Sequence, residues 1–235
     1  MTLQERRPLG ILELDEGISV ESPLRTPRPG SLLNPTTFDR PIITETVQGA
    51  WPDTVIRGDS SLEDAYVAAA RRLVERGVAV ISSDGGFFIR HQAAVAAAVN
   101  VPVAMSSLLL APTLLRQLPP NHKLAVVAAD SRHCHPDLLG LDNPTDLSRV
   151  VIGGVEGGEF LLNNLMRPPV RTDIEQIEKE VGGCIEQLRR RDPEIGIILL
   201  ECTGFPYVKT AVIRRTGLPV YDITDLCRLT LASVF

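Results

Sequence analysis

One cysteine lies where a buried strand is predicted to end. Residues 194–200 (EIGIILL) form a continuous apolar run that predicts a buried strand, and Cys202 follows it closely. We expect a helix to run from there to Gly217, so that the Cys202 thiol lies beside the N–H groups at the helix start. Such a position lowers the pKa of a thiol, which makes Cys202 the candidate acid or base.

A second segment repeats the pattern around Cys202. The run VAVIS at 78–82 predicts another buried strand, and a polar loop, an alanine-rich helix and Val-Pro-Val follow it. Gly85 lies 17 residues before Pro102, and Cys202 lies 17 residues before Pro219. This shared register predicts an internal duplication in which Gly85 and Cys202 hold equivalent positions at the carboxyl ends of central strands, where open α/β sheets bind ligands.

The residues beside these two positions are candidate partners of Cys202. Asp84 is a candidate second base if burial raises its pKa, although an aspartate before two glycines is also ordinary loop chemistry. Backbone N–H groups and short polar side chains at strand ends are suited to binding a substrate carboxylate. We assign that role to Gly85, Gly86, Phe87, Thr203, Gly204 and Ser131.

The long segment 15–40 is a candidate lid. It is rich in proline, serine and threonine, and loops of this length inside compact domains tend to be functional. Asn34 and Thr36 near its end have polar groups able to bind a carboxylate, although turn chemistry alone selects the same residue types.

Two other polar runs do not predict cofactor sites. Residues 130–135 (DSRHCH) hold several metal-ligand types, but consecutive side chains diverge in direction, so no metal site is expected. The glycine run 153–158 lacks the spacing of a dinucleotide-binding loop and is expected to be a plain loop. The four cysteines show no CxxC spacing, which is typical of free thiols in a reducing compartment.

The remaining pattern predicts alternating strands and helices. Capping boxes at Ser60 and Thr172 predict two amphipathic helices, and the second places Cys184 in the core. Further strands are predicted at 9–14, 101–103, 123–129, 149–152 and 218–220, and a further helix at about 87–99.

Composition restricts the partners. The net charge of −5 comes from 24 basic and 29 acidic residues with no basic tract, so we expect a small-molecule partner and neither nucleic acid nor a membrane surface. No apolar run has the length of a membrane helix and no signal peptide is recognised, so a cytoplasmic enzyme is expected. The sequence is compatible with a homo-oligomer and does not set the number of subunits.

The two repeated segments resemble a known superfamily. ILLECTGFP resembles the second cysteine motif of the aspartate/glutamate racemase superfamily, and GVAVISSDGG followed by a helix and VPV resembles its first motif. The superfamily includes hydantoin racemases, arylmalonate decarboxylases and maleate isomerases. The resemblance implies an α/β fold of two pseudo-symmetric Rossmann-like lobes with parallel sheets, and an active site in the cleft between them. It implies no metal, pyridoxal or nicotinamide cofactor.

The expected lobes are continuous in sequence except at the C-terminus. Lobe 1 is expected to span 1–108 and lobe 2 to span 109–217, with the segment 218–235 returning to lobe 1.

At two positions this sequence differs from the racemases of the superfamily, and these differences change the function that we expect. Two-base racemases of this superfamily have a cysteine at both motifs, whereas Gly85 stands at the first motif here. Glycine at the first motif and cysteine at the second resembles the arylmalonate decarboxylase subgroup, in which the lone cysteine protonates an enediolate. Gly204 also stands where many glutamate racemases have a histidine, and its N–H is suited to an oxyanion site.

Three functions are therefore open from the sequence. The first is a cofactor-independent decarboxylase or isomerase in which Cys202 transfers a proton at the carbon α to a carboxylate, since a single acid works on one face of that carbon. The second is a two-base amino-acid racemase that uses Asp84 and Cys202. The third is a non-catalytic protein that binds a small carboxylate.

Overall fold

The computed structural model describes residues 6–18 and 26–234, which divide into two compact units. Unit 1 consists of the described residues up to Ser106 together with those from Thr224 onwards. Unit 2 is the continuous stretch Ser107–Ile223.

Unit 1 is built on a four-stranded parallel sheet. The strands are hydrogen-bonded in the order β2-β1-β3-β4. They are β1 (Leu9–Glu13), β2 (Ile42–Thr46), β3 (Val80–Ser83) and β4 (Val103–Ala104). The helices that flank them are α1 (Pro52–Arg57), α2 (Glu63–Glu75) and α3 (Gln92–Ala98). The central strands β1 and β3 are fully buried, as expected for strands covered on both faces.

Unit 2 repeats this arrangement. Its helices are α4 (Ala111–Gln117), α5 (Pro144–Leu147), α6 (Glu159–Asn164), α7 (Ile174–Arg191) and α8 (Lys209–Thr216). Its strands are β5 (Lys123–Ala128), β6 (Val150–Gly154), β7 (Ile195–Leu200) and β8 (Val220–Tyr221). All four are parallel in the order β6-β5-β7-β8. Both sheets therefore place their second strand outermost, followed by the first, third and fourth, which confirms the predicted α/β fold.

The third strands β3 and β7 correspond residue by residue. Ile81 pairs with Val103 in unit 1, and Ile198 pairs with Val220 in unit 2. Counting four residues onward from Ile81 and from Ile198 reaches Gly85 and Cys202, so the strand pairing agrees with the register read from the sequence.

The C-terminal helix belongs mainly to unit 1. Helix α9 (Ile223–Leu231) follows β8, and its residues from Thr224 onwards are part of unit 1. The buried guanidinium of Arg40 donates hydrogen bonds to the carbonyls of Leu231 at 3.3 Å and Val234 at 3.0 Å. One side chain in the first forty residues thus anchors the end of this helix.

The unit boundaries differ from the predicted lobes. Residues 218–223 lie in unit 2, because β8 forms backbone hydrogen bonds with β7 there. The first boundary falls after Ser106 rather than after residue 108. The predicted return of the segment 218–235 to lobe 1 thus differs from the observed division at residues 218–223.

Several element boundaries also differ from the prediction. A 3₁₀ turn with Asp59 at its N-cap precedes α2, so Ser60 does not cap that helix. Helix α7 has Asp173 at its N-cap, while the Thr172 hydroxyl accepts a hydrogen bond from Asn163 at 3.0 Å. Strand β2 was not predicted, because its sequence IITET is half polar and the strand lies at the edge of the sheet.

Helix α7 packs against β6 through a glycine. Cys184 is buried on the inner face of α7, as predicted, and a Cβ at Gly153 would lie 2.8 Å from its sulfur. Gly153 and Gly154 are the last residues of β6, so the prediction that the run 153–158 is a plain loop was wrong for these two. Close packing of α7 leaves no room for a side chain at Gly153. Burial raises the pKa of the Cys184 thiol to about 11.

Three aromatic side chains of unit 1 pack behind the loop that follows β3. Phe88 contacts Tyr66 edge to face at 4.7 Å, and His91 stacks on Tyr66 at 4.2 Å. All three are buried, and within the described part of the chain His91 Nδ1 has no hydrogen-bond partner. Burial lowers the pKa of His91, and Arg90 adds to this, while Glu63 and Asp59 act in the opposite direction.

Replacement of His91 tests this cluster through the pH dependence of stability. A histidine whose folded-state pKa is depressed stabilises the fold above its unfolded pKa of about 6.5, and this contribution is lost as the pH falls toward the folded value. His91→Phe keeps a stacked ring that takes no proton, so its unfolding free energy should fall less than that of the wild type between pH 7.5 and 5. Urea unfolding measures both. The exposed His135→Asn serves as control, and parallel behaviour of His91→Phe and wild type would contradict the prediction.

Candidate active site

The carboxyl edge of the unit 2 sheet carries a row of polar groups. Because the strands are parallel, the first few residues after each strand lie at the same edge of the sheet. These residues are Asp130 and Ser131 after β5, Glu156 after β6, Glu201 and Cys202 after β7, and Asp222 after β8. Sequence reasoning had identified Ser131 and Cys202 in this row but not Glu156.

Cys202 differs from the other cysteines in exposure. Its side chain is partly exposed, whereas Cys134, Cys184 and Cys227 are buried. The chain leaves β7 through the buried Glu201, whose N–H donates to the carbonyl of Val127 at 2.9 Å. This bond continues the sheet up to the residue before the thiol.

The predicted helix start at Cys202 was wrong. The Phe205 N–H donates to the Cys202 carbonyl at 3.0 Å, which closes a turn, and a 3₁₀ turn at Pro206–Val208 follows before α8 begins at Lys209. The helix dipole acts within about one turn of a helix end. The α8 dipole therefore does not explain a reactive thiol at Cys202.

A phenylalanine packs over Gly204 beside the thiol. A Cβ at Gly204 would lie 2.7 Å from Cζ of Phe160 and 3.7 Å from the Cys202 sulfur. The Phe160 ring also packs against the fully buried Phe205, with centroids 5.2 Å apart. Gly204 is thus required for close packing, and Thr203 beside it is largely buried. Sequence reasoning missed Phe160, because no spacing rule links it to a residue 44 positions later.

Ser131 and Glu156 are joined by two hydrogen bonds. The Glu156 carboxylate accepts the Ser131 N–H at 3.0 Å and also accepts the Ser131 hydroxyl. Burial favours a raised pKa for Glu156, but the hydrogen bonds from Ser131 outweigh it and the net pKa is lowered. The Ser131 hydroxyl thus donates to protein, and its oxygen is left to accept a hydrogen bond from a ligand.

The Asp130 carboxylate is occupied by its neighbours in sequence. It accepts hydrogen bonds from the Arg132 guanidinium at 2.8 and 2.7 Å and contacts Nδ1 of His133 at 3.1 Å. The Arg132 side chain is the main cause of a lowered Asp130 pKa. Within residues 6–18 and 26–234, no group of three or more His, Cys, Asp or Glu side chains is arranged to hold a metal ion.

In unit 1, the backbone after β3 follows the same path as the backbone after β7 in unit 2. The Asp84 N–H donates to the Leu12 carbonyl at 2.8 Å, which matches the bond made by Glu201. Asp84 therefore corresponds to Glu201, and Gly85 corresponds to Cys202. Gly86 and Phe87, the other predicted binding residues, are buried at the start of a 3₁₀ segment. Their roles and that of Asp84 stay predictions.

Gly85 has no room for a side chain. Its φ of −165° is open to any residue, but a Cβ there would lie 2.8 Å from two ring atoms of Phe88. Phe88 is fully buried against Tyr66, so its ring cannot move aside freely. Packing therefore explains the glycine at the first motif.

Asn34 and Thr36 are engaged with each other in the described part of the predicted lid. The Asn34 carbonyl oxygen accepts the Thr36 N–H at 3.0 Å and its hydroxyl at 2.8 Å, and its amide donates to the Arg28 carbonyl at 3.2 Å. This is the turn chemistry that competes with ligand binding. Residues 19–25 of the predicted lid lie outside the described residues.

Solved structures with the same fold are racemases and decarboxylases. Unliganded arylmalonate decarboxylase aligns with 97% of this chain and 93% of its own, with a TM-score of 0.54 and 19% identity. Glutamate racemase RacE1 from Bacillus anthracis aligns with 97% of this chain and 79% of its own, with a TM-score of 0.58 and 13% identity. The fold is that of the aspartate/glutamate racemase superfamily, as the two motifs indicated.

Curated sequence relatives give a narrower family. A dimethylsulfoniopropionate lyase from Durusdinium sp. clade D is 32% identical over 206 residues, which cover 83% of this chain and 67% of that protein. Dimethylsulfoniopropionate lyase 3 from Emiliania huxleyi is 28% identical over 96% of this chain and 59% of its own length. No protein-family model matches the chain. The chain belongs to the dimethylsulfoniopropionate lyase family and is an enzyme of the lyase or isomerase type.

None of the helices in the described residues is long and apolar enough to cross a membrane.

Alkylation should distinguish Cys202 from the other three cysteines. Iodoacetamide at pH 8 should label Cys202 at least about tenfold faster than Cys134, Cys184 or Cys227, because burial slows attack and keeps a thiol protonated. Peptide mass spectrometry of the native protein over time measures each rate. Cys202→Ala should abolish the fast phase, and rapid labelling of a buried cysteine would contradict the assignment.

Substitution at Gly85 should destabilise the fold through Phe88. Gly85→Cys forces the new side chain against a buried ring and should cost roughly 1–3 kcal/mol of unfolding free energy. The cost should shrink in a Phe88→Leu background, since the two sites are in contact. Gly183→Ala is the control for a side chain added without crowding, because a Cβ there meets no atom within 4 Å, and it should not destabilise the fold since alanine favours the interior of α7. Urea unfolding of all variants measures the effect, and a Gly85→Cys protein as stable as the wild type would refute the packing argument.

Proposed function

We propose that this enzyme cleaves dimethylsulfoniopropionate or a closely similar β-sulfonio carboxylate by elimination. The curated relatives are named for this compound, in which the carboxylate is attached to the α-carbon and the dimethylsulfonium group to the adjacent β-carbon. A base removes a proton from the carbon α to the carboxylate, and the electron pair of that C–H bond forms the new C=C bond. The β-carbon–sulfur bond breaks and its electrons stay on sulfur. The products are acrylate and neutral dimethyl sulfide.

Membership in the lyase family is the observation that carries this proposal, and the presence of a single cysteine at the two motifs agrees with it. A sulfonium group leaves as a neutral sulfide and needs no proton from an acid. One base is therefore enough for the reaction, whereas a racemase needs a second group on the opposite face of the carbon. The glycine at position 85 is thus compatible with elimination.

Cys202 is the base in this proposal. It is the partly exposed thiol at the carboxyl edge of the unit 2 sheet. In strand register it corresponds to Gly85, the position at which two-base racemases have their first cysteine. As a thiolate it accepts the α-proton, which then passes to water to restore the active form. Cys202 thus carries the proton-transfer role predicted from the sequence, with elimination in place of decarboxylation.

The remaining groups near Cys202 would bind the carboxylate, on which negative charge develops as the α-proton leaves. Stabilisation of that charge by fixed hydrogen-bond donors is the largest contribution in many such reactions. The candidate donors in unit 2 are the Thr203 hydroxyl and the Gly204 N–H, which adjoin the thiol. Gly86 and Phe87, which lie in unit 1, stay the residues predicted from the sequence to bind a carboxylate through their N–H groups.

The two-base alternative has less support. The α-carbon of dimethylsulfoniopropionate carries two hydrogens and is not a stereocentre, so racemisation has no meaning for this substrate. Asp84 corresponds in register to Glu201, and it is Gly85 that corresponds to Cys202. Asp84 is therefore not a positional substitute for a second cysteine.

Two substitutions test the proposal through product formation. Cys202→Ala should lower kcat/KM for dimethyl sulfide release by about 10²–10⁴-fold, because the base is lost. Asp84→Asn should retain most of the activity, and Cys184→Ala, a buried thiol away from the edge, is the matched control. Dimethyl sulfide is measured by gas chromatography and acrylate by liquid chromatography.

Other outcomes would point to the other functions. Loss of activity in both Cys202→Ala and Asp84→Asn would support a two-base site. Full activity of Cys202→Ala would refute the assigned base. Wild-type protein that binds the compound without releasing dimethyl sulfide would indicate a binding protein, and release of carbon dioxide from an aryl malonate would indicate a decarboxylase.

A further inference from the structure

Glu180 on α7 holds the first turn of α6. Its carboxylate accepts the backbone N–H of Glu159 at 2.8 Å and the backbone N–H of Phe160 at 3.2 Å. The side-chain amide of Gln176, one turn earlier on α7, donates to the same carboxylate at 2.7 Å. Free N–H groups at the start of a helix need acceptors, and a carboxylate from another element supplies them here.

Gly158 makes this contact possible. Its φ of −79° and ψ of 165° are available to any residue, so backbone conformation does not require a glycine. A Cβ at this position would lie 2.6 Å from the carboxyl carbon of Glu180. A side chain at position 158 would therefore displace the Glu180 carboxylate from the place where it accepts these hydrogen bonds.

The other end of α6 is also anchored. The Asn163 side-chain amide donates to the buried Thr172 hydroxyl at 3.0 Å, and the Val170 N–H donates to the Asn163 carbonyl at 3.0 Å. A helix of six residues has too little hydrogen bonding of its own to be stable. Its position therefore depends on contacts with the rest of the unit, which are the burial of Phe160 and Leu161 and these two anchors. Of the two anchors, Glu180 is the one that binds the backbone of Phe160 itself.

The ring held in this way lies beside the candidate base. The end of the Phe160 ring and the Cys202 sulfur both lie within 4 Å of the position that a Gly204 Cβ would occupy. Phe160 is 6% exposed and packs on Phe205, so it forms an apolar wall next to a partly exposed thiol. An apolar wall excludes water from one side of the sulfur and restricts where a substrate can approach it.

We propose that Glu180 is a positioning residue for the reaction at Cys202: it fixes α6 and thereby holds the Phe160 ring against Gly204 at the thiol. The proposal rests on Cys202 being the reactive group of the proposed lyase. Glu180 touches neither the thiol nor a substrate, so its effect passes through Phe160. In its absence α6 loses the acceptor for two N–H groups, the ring moves away from Gly204, and the thiol becomes more accessible to solvent.

Alkylation of Cys202 tests the proposal without any substrate. Glu180→Ala should raise the rate of iodoacetamide labelling at Cys202 by roughly threefold or more, since a wall of the site is displaced. Glu180→Gln keeps an oxygen that accepts one of the two N–H groups and should restore much of the wild-type rate. Glu175→Ala removes the same charge from an exposed position on α7 and should leave the rate unchanged. An unchanged rate in Glu180→Ala would overturn the proposal.

A double-mutant cycle separates positioning from a general loss of stability. Phe160→Leu should raise the labelling rate as Glu180→Ala does, and the double variant should add little, because both changes remove the same wall. Full additivity would mean that Glu180 does not act through Phe160 and would also overturn the proposal. Urea unfolding confirms that each rate is measured on folded protein.

Turnover then connects the wall to the reaction. With dimethylsulfoniopropionate, Glu180→Ala should lower kcat by about tenfold or more and change KM less, because misplacement near the reacting atoms acts mainly on the chemical step. If the wild type releases no dimethyl sulfide, the proposed function fails while the alkylation result still decides the role of Glu180. If the wild type is active and Glu180→Ala has the same kcat, the positioning proposal fails alone.

Discussion

The hydrogen bonds that finish the third strand of each sheet determine where the candidate site residues stand. The Asp84 N–H to Leu12 and the Glu201 N–H to Val127 are the final bonds on this side of β3 and β7. Each bond fixes the backbone one residue before a motif position. That position is Gly85 in unit 1 and Cys202 in unit 2. The loops after these bonds differ. The loop of unit 1 has Gly85 packed closely against the Phe88 ring, and the loop of unit 2 has the Cys202 thiol.

The sequence was informative where a property is local or periodic. The run 194–200 predicted β7 because a strand buried on both faces must be apolar throughout. The equal spacing from Gly85 to Pro102 and from Cys202 to Pro219 predicted the correspondence of the two motifs, because the following strand pairs in the same register in both units. The superfamily itself was indicated by the resemblance of ILLECTGFP and GVAVISSDGG to its two motifs.

The rest of the candidate site depends on contacts between distant segments. Glu156 joins Ser131 from the neighbouring strand, and Phe160 reaches Gly204 from a short helix whose first turn is bound by Glu180 of α7. Neither contact leaves a periodic trace in the sequence. The turn after Cys202 was also missed, because Thr203, Gly204 and Pro206 are compatible with a helix start as well as with successive tight turns.

The return of the C-terminal helix to unit 1 has a consequence for the order of folding during synthesis. All four strands of unit 2 lie in the continuous stretch Ser107–Ile223, so this unit has its complete sheet before the last helix leaves the ribosome. Unit 1 has all its strands earlier, but the carbonyls of Leu231 and Val234 that accept from Arg40 are made only after the sheet of unit 2. Until they emerge, the carbonyl of Arg7 is the one acceptor already made among the three that the Arg40 guanidinium has in the described fold.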